Sequence, residues 1–549
     1  MPLKPLKMPF GHDYPPTLPN LLKDVVARHG DNEFLVMGDQ RMTYRDAERE
    51  SAEVAKGMLA MGLGKGSHVG ILMPNCPEWV VAYFAAARVG ALTVSLSTFF
   101  AAPEIAWGVR HNDIDTLIIS AQYLRANFVE RLETGLAGLA EQTSTELYLP
   151  QFPYLRRIIV VGDCDRPWAM NGLQSFKDAA AAKPPIDDEF LAGVEAQIVP
   201  SDMLITICTS GTTAEPKSVV HMHGTAIRAV SMFVHFTGLK PVDRIWAGFA
   251  FFWIGGQNSV ILPAMFAGAG LYFSETPKPE DVVEVIRRER VTVLGAWPSQ
   301  AAGIATYARQ TGADVSSVRR GLGPQIDEHG VVIPPDRTHN SFGMTETFGM
   351  HSMEKWASWA PVGKGSNWGR HIPGVERRIF DPETGREMAP GEVGELFIRG
   401  STLMAGYYKR EREDVFTREG FFATGDLCSI DEDDYLFFHG RSTEMIKTGG
   451  ANVSPKEVET VLHTYPGVRE ALVFGVPDEA KGEIVAAVVI AVDGHTLDAD
   501  EIQNRLKGDV SNYKVPQEIV VMDYHDIPRT GSEKAIKRDL VHVIENRRK

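Results

Sequence analysis

Residues 209–218 read TSGTTAEPKS. Five of the first six have either a hydroxyl or no side chain at all, and a single cation, Lys217, follows. The preceding run Met203-Leu204-Ile205-Thr206-Ile207-Cys208 has the apolar texture of a buried strand. Hydroxyls and a glycine at the exit of such a strand, read here as leading into a helix, let backbone approach a phosphate. Gly211 has no side chain to hold a ligand away, Thr209, Ser210, Thr212 and Thr213 can donate hydrogen bonds, and Lys217 adds a point charge. The spacing is not GxxxxGK[ST], so this is not a P-loop, and a Ser/Thr-rich surface loop would have the same composition.

Outward from this loop, the first two-thirds of the chain alternates strands with helices. His68–Met73, Asp115–Ser120, Arg157–Val161, Leu271–Phe273 and Val291–Leu294 read as strands, and Glu78–Val89 as a helix apolar on most faces. This predicts an α/β fold with helix-covered, largely parallel sheets. Near Glu376 the texture shifts to short strands split by Gly, Pro and Asp: Arg378–Phe380, Gly394–Ile398 and Tyr435–Phe438, a small antiparallel β subdomain. After Gly440 comes a unit of about 110 residues, a size able to fold independently. It holds a helix at Ser454–His463, capped by Ser454 with Pro455 behind it, and strands at Ala471–Val476 and Ile484–Val492. The expected division is 1–440 and 441–549.

Composition narrows the function classes. With 549 residues, 44% hydrophobic, the chain can bury a sizeable core. Its net charge of −15 argues against a general nucleic-acid partner. Cys76, Cys164, Cys208 and Cys428 are far apart, so neither a zinc site nor a disulfide framework is signalled, and a reduced cytoplasmic setting is expected. The proline-rich start MPLKPLKMPFGHDYPP lacks a secretory apolar core and reads as an ordered or frayed arm. Ile245–Ser274 carries no charge, but Gly255-Gly256-Gln257-Asn258-Ser259 and Pro263 interrupt it. Strand, turn and core helix are expected there rather than a membrane span. GxSxG, HExxH and GxGxxG are absent, which removes support for serine hydrolase, zincin and Rossmann dehydrogenase chemistry.

The loop has distant company: FGMTET at 342–347, TGD at 424–426, GRSTEMIKTGGANVSPKEVE at 440–459 and PRTGSEKAIKR at 528–538. Together, in this order, these motifs resemble the adenylate-forming superfamily of acyl-CoA synthetases, adenylation domains and beetle luciferases, and most of all an acyl-CoA synthetase. The resemblance implies a large adenylating domain followed by a small mobile one. It implies ATP, Mg²⁺ and CoA as partners of a carboxylic acid, and leaves room for a homodimer. It also implies roles. Thr209–Thr213 and Lys217 would hold the outer phosphates. Phe342, where the family often has Tyr, would stack on adenine, with Gly321 and Gly323 in a loop beside it. Gly343 and Met344 would lead to Thr345 at the α-phosphate and Glu346 on Mg²⁺. Asp426 would take the ribose hydroxyls, Arg441 the ribose or phosphate, and Lys534 the carboxylate and α-phosphate in the first step.

The small domain would rotate between half-reactions. Lys534 would serve one pose, and Lys447-Thr448-Gly449-Gly450 would line the pantetheine tunnel in the other, with the hinge at Thr443. Several positions depart from the family pattern. The hinge is usually Asp or Lys, Glu533 replaces a glycine before Lys534, Ser218 follows Lys217, and Trp253 stands where His is frequent. Phe252, Trp253, Gly255, Trp297 and Met350 are the candidate acyl-pocket residues, although core packing would use the same residue types. No Asp stands ready for an α-amine, so an apolar and rather bulky acid is expected: fatty, aromatic, alicyclic or terpenoid-steroid. Lys447, Arg469 or Lys481 could meet the CoA nucleotide. A ligase that loads a carrier protein and a nucleotide-binding regulator without turnover remain as alternatives.

Overall fold

The computed structural model describes residues 13–182, 186–209, 216–274, 276–365, 367–381, 384–441, 446–528, 535 and 537–548. The expected N-terminal arm lies mostly outside these residues, as do 210–215, Thr443, Glu533 and Lys534.

Two sheets form the body of the large unit. One has eight strands in the order Gly406–Tyr407, Lys217–Met222, Met203–Thr209, Leu92–Ser95, His68–Leu72, Thr116–Ser120, Arg157–Val161 and Ala169–Asn171. Its strands from Met203–Thr209 to Ala169–Asn171 run parallel, and the two at the opposite edge are antiparallel. The other has five, in the order Val293–Gly295, Arg244–Ala247, Gly270–Phe273, Glu33–Met37 and Gln40–Thr43, parallel except for the last. Thr116–Ser120 is buried at every position, as expected of a strand covered on both faces. Helix Pro77–Arg88 explains why a helix can be apolar all round. It packs against strands of both sheets, and 11 of its residues are buried. The uncharged stretch resolves into strand Arg244–Ala247, a helix broken by a π-turn at Gln257–Ile261, and strand Gly270–Phe273. No helix among the described residues is long and apolar enough to cross a membrane.

The antiparallel subdomain is a four-stranded sheet of Val375–Phe380, Gly394–Gly400, Phe422–Ile430 and Leu436–Arg441. The small unit pairs Ala451–Val453, Ile446–Thr448, Gly482–Ala491 and Val468–Asp478, with Glu518–Met522 parallel on Gly482–Ala491. Its helix Pro455–His463 starts with the Ser454 hydroxyl accepting from the Glu457 N–H.

One local expectation is corrected. The loop after Met203–Thr209 does not lead into a helix. It joins two antiparallel strands, with Thr209 paired to Lys217, and helix His223–Thr237 starts only after the second strand. The strands on either side of 210–215 are therefore antiparallel neighbours, and no helix starts at Lys217. The run Lys217–Met222 is buried at its four central positions, between strands on both sides.

Candidate active site

The base of the hairpin, the FGMTET segment and the TGD turn meet around one cavity of about 710 Å³. Thr209, Lys217, Phe342, Gly343, Met344, Thr345, Glu346 and Asp426 line it. Each comes from a different device. Lys217 starts the second hairpin strand. Phe342–Met344 is a short strand, and Thr345–Thr347 a single 3-10 turn behind it. Asp426 lies on strand Phe422–Ile430 opposite Arg441, a register that puts both residues at the same height.

Side-chain contacts hold this lining in place. The Thr345 carbonyl accepts from His221 Nε2 at 2.7 Å. Glu346 Oε1 accepts from the Tyr407 hydroxyl at 2.8 Å, and the Glu346 carbonyl accepts from the Met404 N–H. Lys217 Nζ sits 4.9 Å from the centroid of the Tyr407 ring. Burial lowers the Lys217 pKa, and the Glu346 charge opposes that shift. The Phe342 ring is packed by Trp368 and Phe438, each at 5.2 Å, and by His351 at 5.3 Å. Asp426 is almost fully buried, with its N–H bonded to Thr424 Oγ1.

A second cavity, of about 650 Å³, shares Trp253, Trp297, Ala451 and Tyr513 with the first. Phe99, Phe252 and Trp246 add aromatic lining. The small unit closes one side of it with Thr448, Gly449, Lys481 and Tyr513. Lys447 and Gly450 of the same hairpin face the first cavity. Gly450 has φ +86°, and a Cβ on it would stand 2.8 Å from Trp297 Cδ2, so the hairpin lies directly against that indole. Phe249 meets the same ring edge-on at 4.8 Å.

The remaining candidates separate. Gly255 lines the first cavity and Phe252 the second, whereas Met350 lines neither and packs against the core. Gly321 and Gly323, both with positive φ, line neither cavity. Arg469 stacks on Tyr524 at 4.3 Å, away from both, while Lys481 lines the second. Ser210, Gly211, Thr212, Thr213, Thr443 and Lys534, and the Arg441 side chain, lie outside the described residues. Sequence reading missed Tyr407, Phe99 and Tyr513. Tyr407 arrives through its pairing with Val219, a contact that leaves no local pattern in the chain.

The donor set fits a hard cation held mainly by substrate. Glu346 offers a carboxylate at the cavity wall, and among the described residues no group of three or more His, Cys, Asp or Glu could hold a metal ion. Mg²⁺ is bound in this way when phosphates and water complete its octahedron.

Comparison with known proteins agrees with this geometry. The AMP-binding enzyme family matches residues 22–408, and the AMP-binding enzyme C-terminal domain matches residues 457–534. A putative acyl-CoA synthetase, YngI, of Bacillus subtilis is 28% identical over 535 residues, 95% of this chain and 96% of that protein. An indoleacetate–CoA ligase of Aromatoleum aromaticum is 28% identical over 518 residues, 92% of this chain and 94% of that one. The structure of an o-succinylbenzoate CoA synthetase from Bacillus subtilis superposes with a TM-score of 0.75 at 22% identity, covering 96% of this chain and 98% of that one. The chain belongs to the AMP-binding enzyme family, among the AMP-forming acyl-CoA ligases, which use ATP, Mg²⁺ and CoA.

Proposed function

We propose that this protein activates a hydrophobic, bulky carboxylic acid with ATP and transfers the acyl group to CoA. The observation that carries the reading is the pair of cavities sharing Trp253, Trp297 and Tyr513: one lined by carboxylate, hydroxyl and lysine, the other by aromatic rings. A polar chamber beside an aromatic one suits an acid whose carboxylate must meet a triphosphate while its body avoids water.

In the first half-reaction a carboxylate oxygen attacks the α-phosphorus, and the bond to the β-phosphate oxygen breaks, releasing pyrophosphate. Thr345 orients the α-phosphate, Lys217 with the loop 209–213 takes the outer phosphates, and Asp426 accepts from the ribose hydroxyls. Glu346 would hold Mg²⁺, which when bound would supply neutralisation of phosphate charge. Lys534 brings its ammonium to the charge that gathers between carboxylate and phosphate. In the second half-reaction the CoA sulfur, having lost its proton, attacks the acyl carbon. The bond to the adenylate oxygen breaks and AMP leaves. The hairpin Lys447–Gly450 supports this step, since the glycines beside Trp297 let a thin pantetheine arm pass close to backbone. Thr443 is the proposed hinge between a first unit ending near Gly440 and a mobile second one.

Trp253, Trp297, Phe252 and Phe99 favour an aromatic or polycyclic acid over a short polar one. The four cysteines are free thiols, consistent with a cytoplasmic setting. The test is product analysis with ATP and a panel of fatty, aromatic and polycyclic acids, with and without CoA. AMP and acyl-CoA should form together. AMP release that ignores CoA, or transfer only to a carrier protein, would displace this reading.

A further inference from the structure

Helix Ala102–His111 of the large unit has Glu104 in its first turn. The carboxylate reaches the small unit. Its Oε1 accepts from Lys514 Nζ at 2.7 Å, and its Oε2 accepts from Ser511 Oγ at 2.6 Å and from its own Ala101 N–H at 2.8 Å. Lys514 Nζ donates a second bond, also 2.7 Å, to Glu457 Oε1 within the small unit. All three charges are out of water: the side chains of Lys514, Glu104 and Glu457 are 2%, 10% and 9% exposed. Phe100 and Tyr513 flank the ammonium, with ring centroids 6.0 and 5.7 Å from it. Tyr513 in turn meets Phe99 and Trp253 edge-on, so this cluster borders the aromatic cavity.

The two carboxylates do different work. Glu457 rides on the same unit as Lys514 and keeps it through any rotation. Glu104 belongs to the other unit, so a rotation of the small unit would part it from Lys514; in the arrangement seen here the hairpin Lys447–Gly450 stands in the cleft. Burial raises the Glu457 pKa; burial also pulls Lys514 down, but Tyr513, Glu104 and Glu457 together outweigh it and raise the Lys514 pKa. A contact made in one pose and not in the other is what biases an equilibrium between them.

We propose that Glu104 and Lys514 form a latch between the two units that holds the small one in the thiol-accepting pose. The latch rests on the two-step reading above and deepens it. Glu104 is a positioning residue, acting through the small unit rather than on the substrate. Release of the ion pair accompanies return to the adenylating pose, so its strength sets how the enzyme divides its time between the two half-reactions.

The test uses the full chain and Glu104→Gln, which keeps an oxygen for the Ala101 N–H and so preserves the helix start. Three quantities are read: ATP–pyrophosphate exchange, single-turnover transfer from preformed acyl-adenylate to CoA, and amide hydrogen exchange of 446–453. The expected result is exchange of pyrophosphate unchanged or raised, transfer slowed at least about tenfold, and faster amide exchange in the hairpin, since removing one partner of a buried ion pair is strongly unfavourable to the state that buries it. Glu457→Gln leaves the contact between the units in place; whatever it costs the small unit in stability, it should keep the ratio of transfer to pyrophosphate exchange within about threefold of wild type. Transfer at the wild-type rate in Glu104→Gln overturns the latch, and so does an equal fall in both half-reactions. Should that variant fail to fold, Lys514→Gln must show the same split. If the wild type exchanges pyrophosphate with no acid, the functional reading fails, and the hairpin amides alone decide the latch.

Discussion

The Tyr407 hydroxyl donates to Glu346 Oε1 at 2.8 Å while its ring stands 4.9 Å from Lys217 Nζ, so one tyrosine orients both the carboxylate and the cation of the nucleotide cavity. Tyr407→Phe removes the hydrogen bond and keeps the ring. A hydrogen bond to a charged group contributes on the order of 1.5–3 kcal/mol. Pyrophosphate exchange should fall about tenfold or more, with a higher Mg²⁺ concentration for half-activity. An unchanged Mg²⁺ titration would separate Glu346 from the metal.

The two lysines should divide by step. On the proposed mechanism Lys217 would anchor the loop and the departing pyrophosphate, whereas Lys534 would meet the charge that develops at the α-phosphate. Lys534→Ala should abolish adenylation more completely than Lys217→Ala, by a further factor of about ten or more, since transition-state charge stabilisation is the larger effect. Rapid-quench measurement of adenylate formation checks this, and the reverse order would dissolve the division of roles.

Gly450 sits against Trp297 with φ +86°. Gly450→Ala must both strain the backbone and push a methyl into the indole, at a cost of about 1–3 kcal/mol. Transfer to CoA should slow by about tenfold while pyrophosphate exchange persists. A stopped-flow assay in which exchange falls and transfer holds would reverse the assignment of the hairpin.

Trp253 and Trp297 stand between the two cavities. Trp253→Ala enlarges the space available to the acid. It should raise kcat/KM for the bulkiest acids of a panel relative to the smallest by about tenfold or more, since a single methylene in an apolar pocket is already worth about that much. Equal loss across the panel would mean that Trp253 serves packing alone.

Three buried histidines predict acid sensitivity. Burial pushes His221 and His223 down to about 4 and His351 to about 3. Their folded pKa lies below the unfolded one, so the unfolded chain takes the proton first. Their contribution to stability is complete above pH 6.5 and is lost as pH falls from 6.5 toward 4. Each withdraws about 1.4 kcal/mol per pH unit in that window. Urea midpoints should drop steeply between pH 6.5 and 4, and His223→Asn should flatten the slope by about one proton. A slope unchanged in the variant would mean that His223 is charged in the folded protein.

Much of the architecture was legible in the chain because its cause is local. Thr116–Ser120 and Arg157–Val161 are short, continuous apolar runs, and a strand covered on both faces must be such a run. Ser454 and Pro455 signal a helix start by hydrogen bonding and fixed φ, and the helix begins there. The four-stranded antiparallel sheet followed from its turn residues. Reading TSGTTAEPKS as the exit from a strand into a helix failed, because β-pairing of Lys217–Met222 depends on a neighbour that its own pattern does not name.

The sequence by itself pointed to the chemistry: a hydroxyl-rich loop, a Thr-Glu pair, an Asp after Gly425 and distant lysines, in an order that resembles an adenylating ligase. Tertiary structure alone decided which groups cooperate. Tyr407 reaches Glu346 from 61 residues away, Tyr513 walls a cavity opened by Phe99, and Lys514 meets Glu104 across 410 residues. Local periodicity and turn chemistry act through neighbours along the chain and can be read there. Strand register and the docking of one unit on another bring together residues with no sequence relation, so only the folded chain reveals those pairs.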